Sequence, residues 1–356
     1  MIDILYIGPF KTKNTIVGGY AEANERIVAA LKRRSVSTSK APYYSASGGV
    51  IQKSIGYAFY SLNILIKLVS FKFKRTEDKK IVHLTGLYKQ FIYFEWFIIK
   101  LSGVLGIYTV YDVRAGSATR HFDKRTSLYR RTFESVLKSS NDVFVEGREI
   151  EDWIKSILGY LPFYLPNFVK QDTFFELNLD KYYNSPLKLL YFGRINKDKG
   201  LDTMLEVNKI LNLTSIKSEL HLVGSLGSAE KETIKSYENV TYYGIQNQKE
   251  IKKLANTSHF FIFPTRHKGE GHSNSLTEAM AWGLIPVVTN NGFLKTVVAD
   301  TGIVLDKSAT PEEFVIKIKE LLGEDLSRLA SKCIEQIQLN YSEDTVITNL
   351  INQYHK

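Results

Sequence analysis

The chain has 356 residues, 44% of them hydrophobic, and carries 47 Lys and Arg against 37 Asp and Glu, for a formal net charge of +10. That length suggests two domains of ordinary size with sizeable cores. A single cysteine, Cys333, excludes an intramolecular disulfide and fits a reducing cytosol.

Residues 2–8 are an apolar, β-rich run with no basic leader or small-residue cleavage site, so they read as a first strand and not as a signal peptide. A polar loop and Gly18-Gly19 follow, then an amphipathic helix from Ala21 to Arg34. Ile55 to Phe73 holds many aromatics and aliphatics, and its only charged residues are Lys67 and Lys72. It reads either as a helix lying in a membrane interface or as a core helix; Lys67 argues against a transmembrane span. Buried-strand candidates come at Ile81-Val-His-Leu-Thr, Tyr108-Thr-Val-Tyr111 and Val143-Phe-Val, with helical patterns at Phe91 to Ser102 and Leu128 to Ser139. Pro162 to Pro186 is rich in turn residues and lacks periodicity, which marks a boundary.

The pattern restarts at Leu187-Lys-Leu-Leu-Tyr-Phe-Gly. It continues through His221-Leu-Val-Gly, Val240-Thr-Tyr-Tyr-Gly, Phe260-Phe-Ile-Phe-Pro, Ile285-Pro-Val-Val and Gly302-Ile-Val-Leu. Residues 311–339 and 343–354 read as closing helices. Alternating strands and helices in both halves predict an α/β protein of two doubly wound, Rossmann-like domains, spanning 1–168 and 187–339. Neither half has G-x-G-x-x-G directly after its first strand, and Gly224-Ser-Leu-Gly227 is only a fragment of it, which speaks against a dinucleotide oxidoreductase.

Charge is uneven: +12 over residues 1–170 and −2 over 171–356. The excess sits at Lys32-Arg33-Arg34, Lys72 to Lys80 and Arg120 to Arg131. A basic face attracts anionic lipid, lipid pyrophosphate or nucleic acid; an ordinary solvated surface is the plain alternative.

The densest chemistry lies in Glu270-Gly271-His272-Ser273-Asn274-Ser275-Leu276-Thr277-Glu278-Ala279-Met280-Ala281-Trp282-Gly283-Leu284-Ile285-Pro286-Val287. Two carboxylates flank a turn that opens a short helix, whose unpaired N–H groups favour an anion. Ser275-Leu-Thr-Glu278 also fits a capping box, which would make Glu278 structural. Arg194 and Lys199, after the restart strand, offer a planar fork and a point charge for phosphate oxygens. Gly18 and Gly19 would let backbone approach a phosphate closely. No Asp-x-Asp pair occurs, and His267-Lys-Gly-Glu-Gly-His272 lacks metal-ligand spacing, so no metal is expected.

This run resembles the E-x7-E signature of family 4 glycosyltransferases, retaining enzymes of the two-domain GT-B fold. Phe192-Gly-Arg194-Ile with Lys199-Gly-Leu-Asp resembles the family's phosphate-binding segment, Leu165-Pro-Asn-Phe-Val its interdomain segment, and Gly18-Gly19 its first glycine loop. The resemblance implies a cleft between the domains and a last helix (343–356) that rejoins the first domain. It also implies a nucleoside-diphosphate sugar as donor, without further cofactor. Arg194 and Lys199 would bind the diphosphate, Glu278 the ribose hydroxyls, and Glu270 would lie near the donor sugar. The donor-binding set is Gly18, Gly19, Arg194, Lys199, Glu270, Gly271, His272, Ser273, Asn274, Ser275 and Glu278; the candidate catalytic groups are Glu270, Arg194, Lys199 and Asp112. Many family members have a His where this chain has Tyr111. Asp112 and Arg114 are therefore candidates for the sugar's far edge, with a strand-end salt bridge as the alternative. His83 is a further acceptor-side candidate or a structural histidine.

The expected activity is metal-independent, retaining transfer of a sugar to a glycan or lipid-linked acceptor, in polysaccharide or lipopolysaccharide biosynthesis. The expected location is the cytoplasm, with peripheral contact at an anionic inner membrane face and no nucleic-acid partner. A sugar-nucleotide epimerase or hydrolase of the same fold is the enzymatic rival, and a basic module binding membrane or nucleic acid the non-enzymatic one.

Overall fold

The computed structural model describes residues 2–11, 19–44, 49–114, 116–174, 178–214 and 216–356. The chain divides into two units, Met1–Asn167 with Val346–Lys356, and Phe168–Thr345.

In the first unit the elements run β1 (Ile2–Gly8), α1 (Gly19–Arg33), β2 (Ser37–Pro42), α2 (Val50–Phe73), β3 (Lys79–Gly86), α3 (Ile92–Val104), β4 (Tyr108–Val113), α4 (Ala118–Asp123), α5 (Ser127–Ser139), β5 (Asp142–Val145), α6 (Glu151–Leu158) and β6 (Phe163–Tyr164). The six strands form one parallel sheet in the order β2-β1-β3-β4-β5-β6. Inner strands are near-continuous apolar runs because helices cover a parallel sheet on both faces. Ile4, Ile7, Ile81, Val82, Val110 and Val143 are all fully buried.

Two strands escape a reading by apolar pattern. β2 is Ser-Thr-Ser-Lys-Ala-Pro and β6 only Phe-Tyr, and each lies at a sheet edge, where half the ladder faces away from a partner. α2 departs from the core-helix alternative: within Ser54–Phe73, Ile64, Leu68 and Phe71 are buried while Ile55, Phe59, Leu62, Ile66, Val69 and Phe73 are exposed.

The second unit contains β7 (Leu187–Phe192), α7 (Leu201–Leu213), β8 (Ser218–Val223), α8 (Ser228–Lys235), β9 (Val240–Tyr242), α9 (Gln248–Ala255), β10 (Phe260–Phe263), α10 (Asn274–Ala281), β11 (Ile285–Thr289), α11 (Leu294–Val298), β12 (Ile303–Leu305), α12 (Pro311–Leu321) and α13 (Leu326–Tyr341). Its sheet is parallel, in the order β12-β11-β10-β7-β8-β9. The stretch 311–339, expected as one helix, is two. Residues 322–325 interrupt it, and Asp325 restarts the helix by accepting a hydrogen bond from the Arg328 N–H at 3.1 Å. α14 (Glu343–His355) closes the chain, and its part from Val346 onward belongs to the first unit.

The strand order of the second unit reverses direction between β7 and β10. In such sheets ligands bind outside the carboxyl ends of the strands at this switch point. The loops leaving β7 and β10 are therefore where a site is expected on topology alone.

Candidate functional site

The loop after β7 is built by a tight turn. Asn196 accepts the Lys199 N–H through its side chain at 2.9 Å, and Gly200 follows with φ of +85°. A Cβ at residue 200 would lie 2.3 Å from the Pro264 carbonyl oxygen, so only glycine lets the turn close against the end of β10. The turn directs Lys199 across the switch point. Its Nζ donates to both oxygens of Glu270, at 3.0 and 2.8 Å. Arg194, at the start of the loop, is exposed, and its carbonyl accepts the Tyr191 hydroxyl at 2.9 Å.

Glu270 is 7% exposed and also accepts the Thr265 hydroxyl at 2.7 Å. The loop that carries it is held from β11. Thr289 Oγ1 donates to the Thr265 carbonyl at 2.6 Å, and Asn291 Nδ2 to the carbonyls of Thr265 and His267 at 3.1 and 2.9 Å. Gly292 has φ of +60°, and a Cβ there would approach the Glu270 carbonyl oxygen to 2.4 Å. Thr265, Asn291 and Gly292 were not among the residues expected from sequence. The Pro264-Thr265 and Asn291-Gly292 pairs just after strands were the only local signals available.

α10 begins where the loop ends. Ser273 is its N-cap, accepting the Leu276 N–H at 3.3 Å, while Ser275 lies inside the helix and hydrogen-bonds Ser273 Oγ at 3.0 Å. This corrects the capping-box alternative: with the cap at Ser273, Glu278 lies beyond the first turn and cannot close a box with Ser275. Glu278 is half-buried. His272 is buried, with Nε2 3.1 Å from Thr277 Oγ1 and its ring edge-on to Tyr341 at 5.1 Å. Gly271 and Asn274 are partly exposed beside the helix start. Among the described residues no group of three or more His, Cys, Asp or Glu is placed to hold a metal ion.

The structure thus brings together Lys199, Glu270 and the α10 N-terminus in the second unit. The other candidates gather separately in the first unit. His83, Asp112 and Arg114 are fully buried. His83 Nε2 lies 3.2 Å from Asp112 Oδ2 and Nδ1 2.6 Å from the Tyr354 hydroxyl, and Tyr6 stacks on its ring at 4.2 Å. Arg114 donates through Nε to Asp112 at 2.5 Å and through Nη1 to Asn167 at 2.9 Å.

Burial alone would raise the Asp112 carboxyl, but the Arg114 charge and the His83 hydrogen bond outweigh it and hold its pKa below the usual value. Burial dominates at His83 and lowers its pKa despite Asp112. Among the described residues, the buried atoms Asp112 Oδ1 and Arg114 Nη2 have no hydrogen-bond partner. Tyr111 faces the other side of the sheet, where its hydroxyl donates to Glu95 at 2.7 Å. Burial pushes the Glu95 pKa up to about 7. Gly19 opens α1, and Gly18 lies outside the described residues.

Residues 176–339 match the family model described as glycosyl transferases group 1. The capsular polysaccharide biosynthesis glycosyltransferase CapM of Staphylococcus aureus is 23% identical over 271 residues, 74% of this chain. The chain spans about two thirds, 66%, of CapM's length. Among solved structures, Anabaena HepE in complex with UDP aligns over 99% of both chains with a TM-score of 0.74 at 12% identity. The sucrose-phosphate synthase of Thermosynechococcus elongatus aligns over 99% of this chain and 98% of its own, with a TM-score of 0.74 at 13% identity. The fold is GT-B. The domain match supports a glycosyltransferase, and the chain is similar to one of capsular polysaccharide biosynthesis.

Proposed function

We propose that this protein is a retaining, metal-independent glycosyltransferase of family 4. It would move a sugar from a nucleoside diphosphate to a glycan or lipid-linked acceptor in the synthesis of a bacterial surface polysaccharide, capsule or lipopolysaccharide. The observation that carries this reading is the Lys199–Glu270 pair, set across the β7/β10 switch point beside the α10 N-terminus. A fixed cation, an exposed guanidinium at Arg194 and oriented helix N–H groups suit a departing diphosphate, which needs charge stabilisation more than a proton. Glu270, braced by Lys199 and Thr265, offers acceptor oxygens to sugar hydroxyls. Glu278 would take the ribose.

In this reaction the bond from the sugar C1 to the β-phosphate oxygen breaks and a bond from C1 to the acceptor oxygen forms on the same face. The acceptor proton passes to the departing phosphate oxygen. The donor set needs no cofactor, and the reaction belongs in the cytoplasm, where nucleotide sugars are made. On the first unit, Asp112 Oδ1 and Arg114 Nη2 are the buried atoms that a substrate hydroxyl would satisfy.

UDP-sugars are the first donors to test, because the HepE structure holds UDP. Calorimetric titration with UDP, GDP, ADP and CMP should give binding to one base that Lys199→Ala weakens. No binding of any nucleotide would overturn the reading. Donor turnover should require an added acceptor and persist in EDTA. Turnover without acceptor would indicate the hydrolase or epimerase alternative, and loss restored by Mg²⁺ would remove metal independence.

A further inference from the structure

Near the carboxyl ends of β1 and β2 the first unit carries a half-open cavity of about 250 Å³ that the proposed reaction does not use. Tyr43, just after β2, ties its lining to the sheet: the Tyr43 N–H donates to the Gly8 carbonyl at the end of β1, at 2.8 Å. The lining is aromatic. Tyr44 meets Tyr57 edge-on at 5.2 Å and Tyr60 at 5.3 Å, and Tyr57 meets Phe91 edge-on at 5.7 Å. Glycine weakens a helix interior, yet α2 has Gly56 here, where a Cβ would overlap the Tyr44 ring. The glycine lets that ring lie against the helix. The cavity is on the face of the sheet that α2 and α3 cover. Tyr111 points to that face, through its hydrogen bond to Glu95 of α3, and Asp112 and His83 point to the other.

Size and lining select the occupant. An apolar cavity of about 150 Å³ accommodates benzene, so about 250 Å³ fits one six-membered ring with its hydroxyl groups and not a long isoprenoid chain. None of the described lining residues is charged, whereas an ion would need a counter-charge. The polar groups are Ser61, Gln90 and tyrosine hydroxyls, which both donate and accept, as sugar hydroxyls require. The Tyr43 hydroxyl is buried and has no hydrogen-bond partner among the described residues, a state that a bound hydroxyl group would relieve. A pyranose offers both kinds of contact. Its C–H face is apolar and suits the negative face of an aromatic ring, and its rim of hydroxyls suits the polar groups.

We propose that this cavity binds one uncharged pyranose residue of the acceptor glycan, away from the hydroxyl that reacts, and so selects the acceptor. Assigning that sugar to an acceptor rests on the glycosyltransferase reading above; the binding itself does not.

The test is saturation-transfer NMR on the full chain, irradiating aromatic protons, with no nucleotide present. The probes are the methyl glycosides of glucose, galactose, N-acetylglucosamine and rhamnose at millimolar concentration, with geraniol, a short isoprenoid, as the competing occupant. At least one glycoside should receive saturation, and Tyr44→Ala should abolish it. Tyr43→Phe removes one oxygen from a ring that stays packed. It should weaken glycoside binding roughly tenfold, with nucleotide affinity unchanged and no loss of melting temperature. No saturation of any glycoside, equal binding by the parent and both variants, or saturation of geraniol alone overturns the proposal. Glycoside binding by a chain that binds no nucleotide would uphold the sugar site and overturn the transferase reading, so the two failures are told apart.

Discussion

Replacing Gly292 with Ala tests whether the loop bearing Glu270 is a precision element of the site. The residue sits at φ +60°, where a non-glycine residue costs about 1–2 kcal/mol. The added Cβ would also lie 2.4 Å from the Glu270 carbonyl oxygen and 2.7 Å from its carbon. Non-bonded heavy atoms settle near 3.5 Å, so the Glu270 backbone must retreat by roughly 1 Å. It cannot slide freely, because Asn291 Nδ2 grips the same loop at Thr265 and His267.

A misplacement of this size at a catalytic centre costs on the order of 100-fold in rate. In a unit of this size the strain should lower the melting temperature by roughly 2 to 8 °C. Transfer kinetics with saturating donor, alongside a thermal melt, read both effects. Gly302→Ala is the control: its Cβ would crowd the Pro286 carbonyl just as closely, at 2.4 Å, but at the opposite end of β11. It should lose stability and keep its kcat. A folded Gly292→Ala protein with normal transfer would refute the idea that Glu270 must be held in place.

Arg194→Ala should slow transfer roughly 100- to 1,000-fold with little change in stability, because the residue is exposed; near-normal turnover would move the phosphate site elsewhere. Glu278→Gln should weaken nucleotide binding about 10-fold or more and leave the melting temperature alone. Ser273→Ala, which removes the α10 cap, should instead cost about 1 kcal/mol of stability. Equal effects of the two on melting would mean Glu278 is structural after all. Lys181 is 2% exposed, donates to the Ala255 carbonyl at 3.0 Å, and burial pushes its pKa down to about 7. The unfolded chain therefore binds more protons between pH 7 and the ordinary lysine range, so stability should rise with pH across that window. Lys181→Met should melt higher at pH 7 and flatten the rise; a variant that melts lower would show that the buried amine is stabilising.

The fold was legible where strands are buried on both faces. The run at 260–263 is apolar throughout, and those at 2–8 and 187–192 carry one charged residue each, Asp3 and Lys188, which is close to what a covered parallel strand requires. It was not legible at β2 and β6, whose pairing is set by the neighbouring strand and not by their own side chains. The break between α12 and α13 was hidden because apolar spacing continues through Leu322, while Gly323 and Asp325 carry the interruption. At the candidate site, the acids and cations belong to local motifs and could be named from sequence. Thr265, Asn291 and Gly292 act on Glu270 from β10 and β11, through contacts that only the folded sheet creates. The same limit applies to His83, Asp112 and Arg114. Their residue types suggest chemistry, and only the structure shows that they form one buried network with Tyr354.

That network has a consequence for how the chain is made. Tyr354 is fully buried, its carbonyl accepts Lys79 Nζ at 2.9 Å, and Gln353 donates to Asp142 at 2.6 Å. These partners leave the ribosome only after the whole of the second unit has been synthesised. Domains generally fold in order of synthesis, yet here the earlier unit waits for the later one. Until α14 arrives, the His83 ring has no Tyr354 hydroxyl and the Lys79 amine no Tyr354 carbonyl. The nascent first unit therefore has all six strands but lacks α14, and the side of its core that Tyr354 covers stays open to chaperones and proteases for as long as residues 168–345 take to translate.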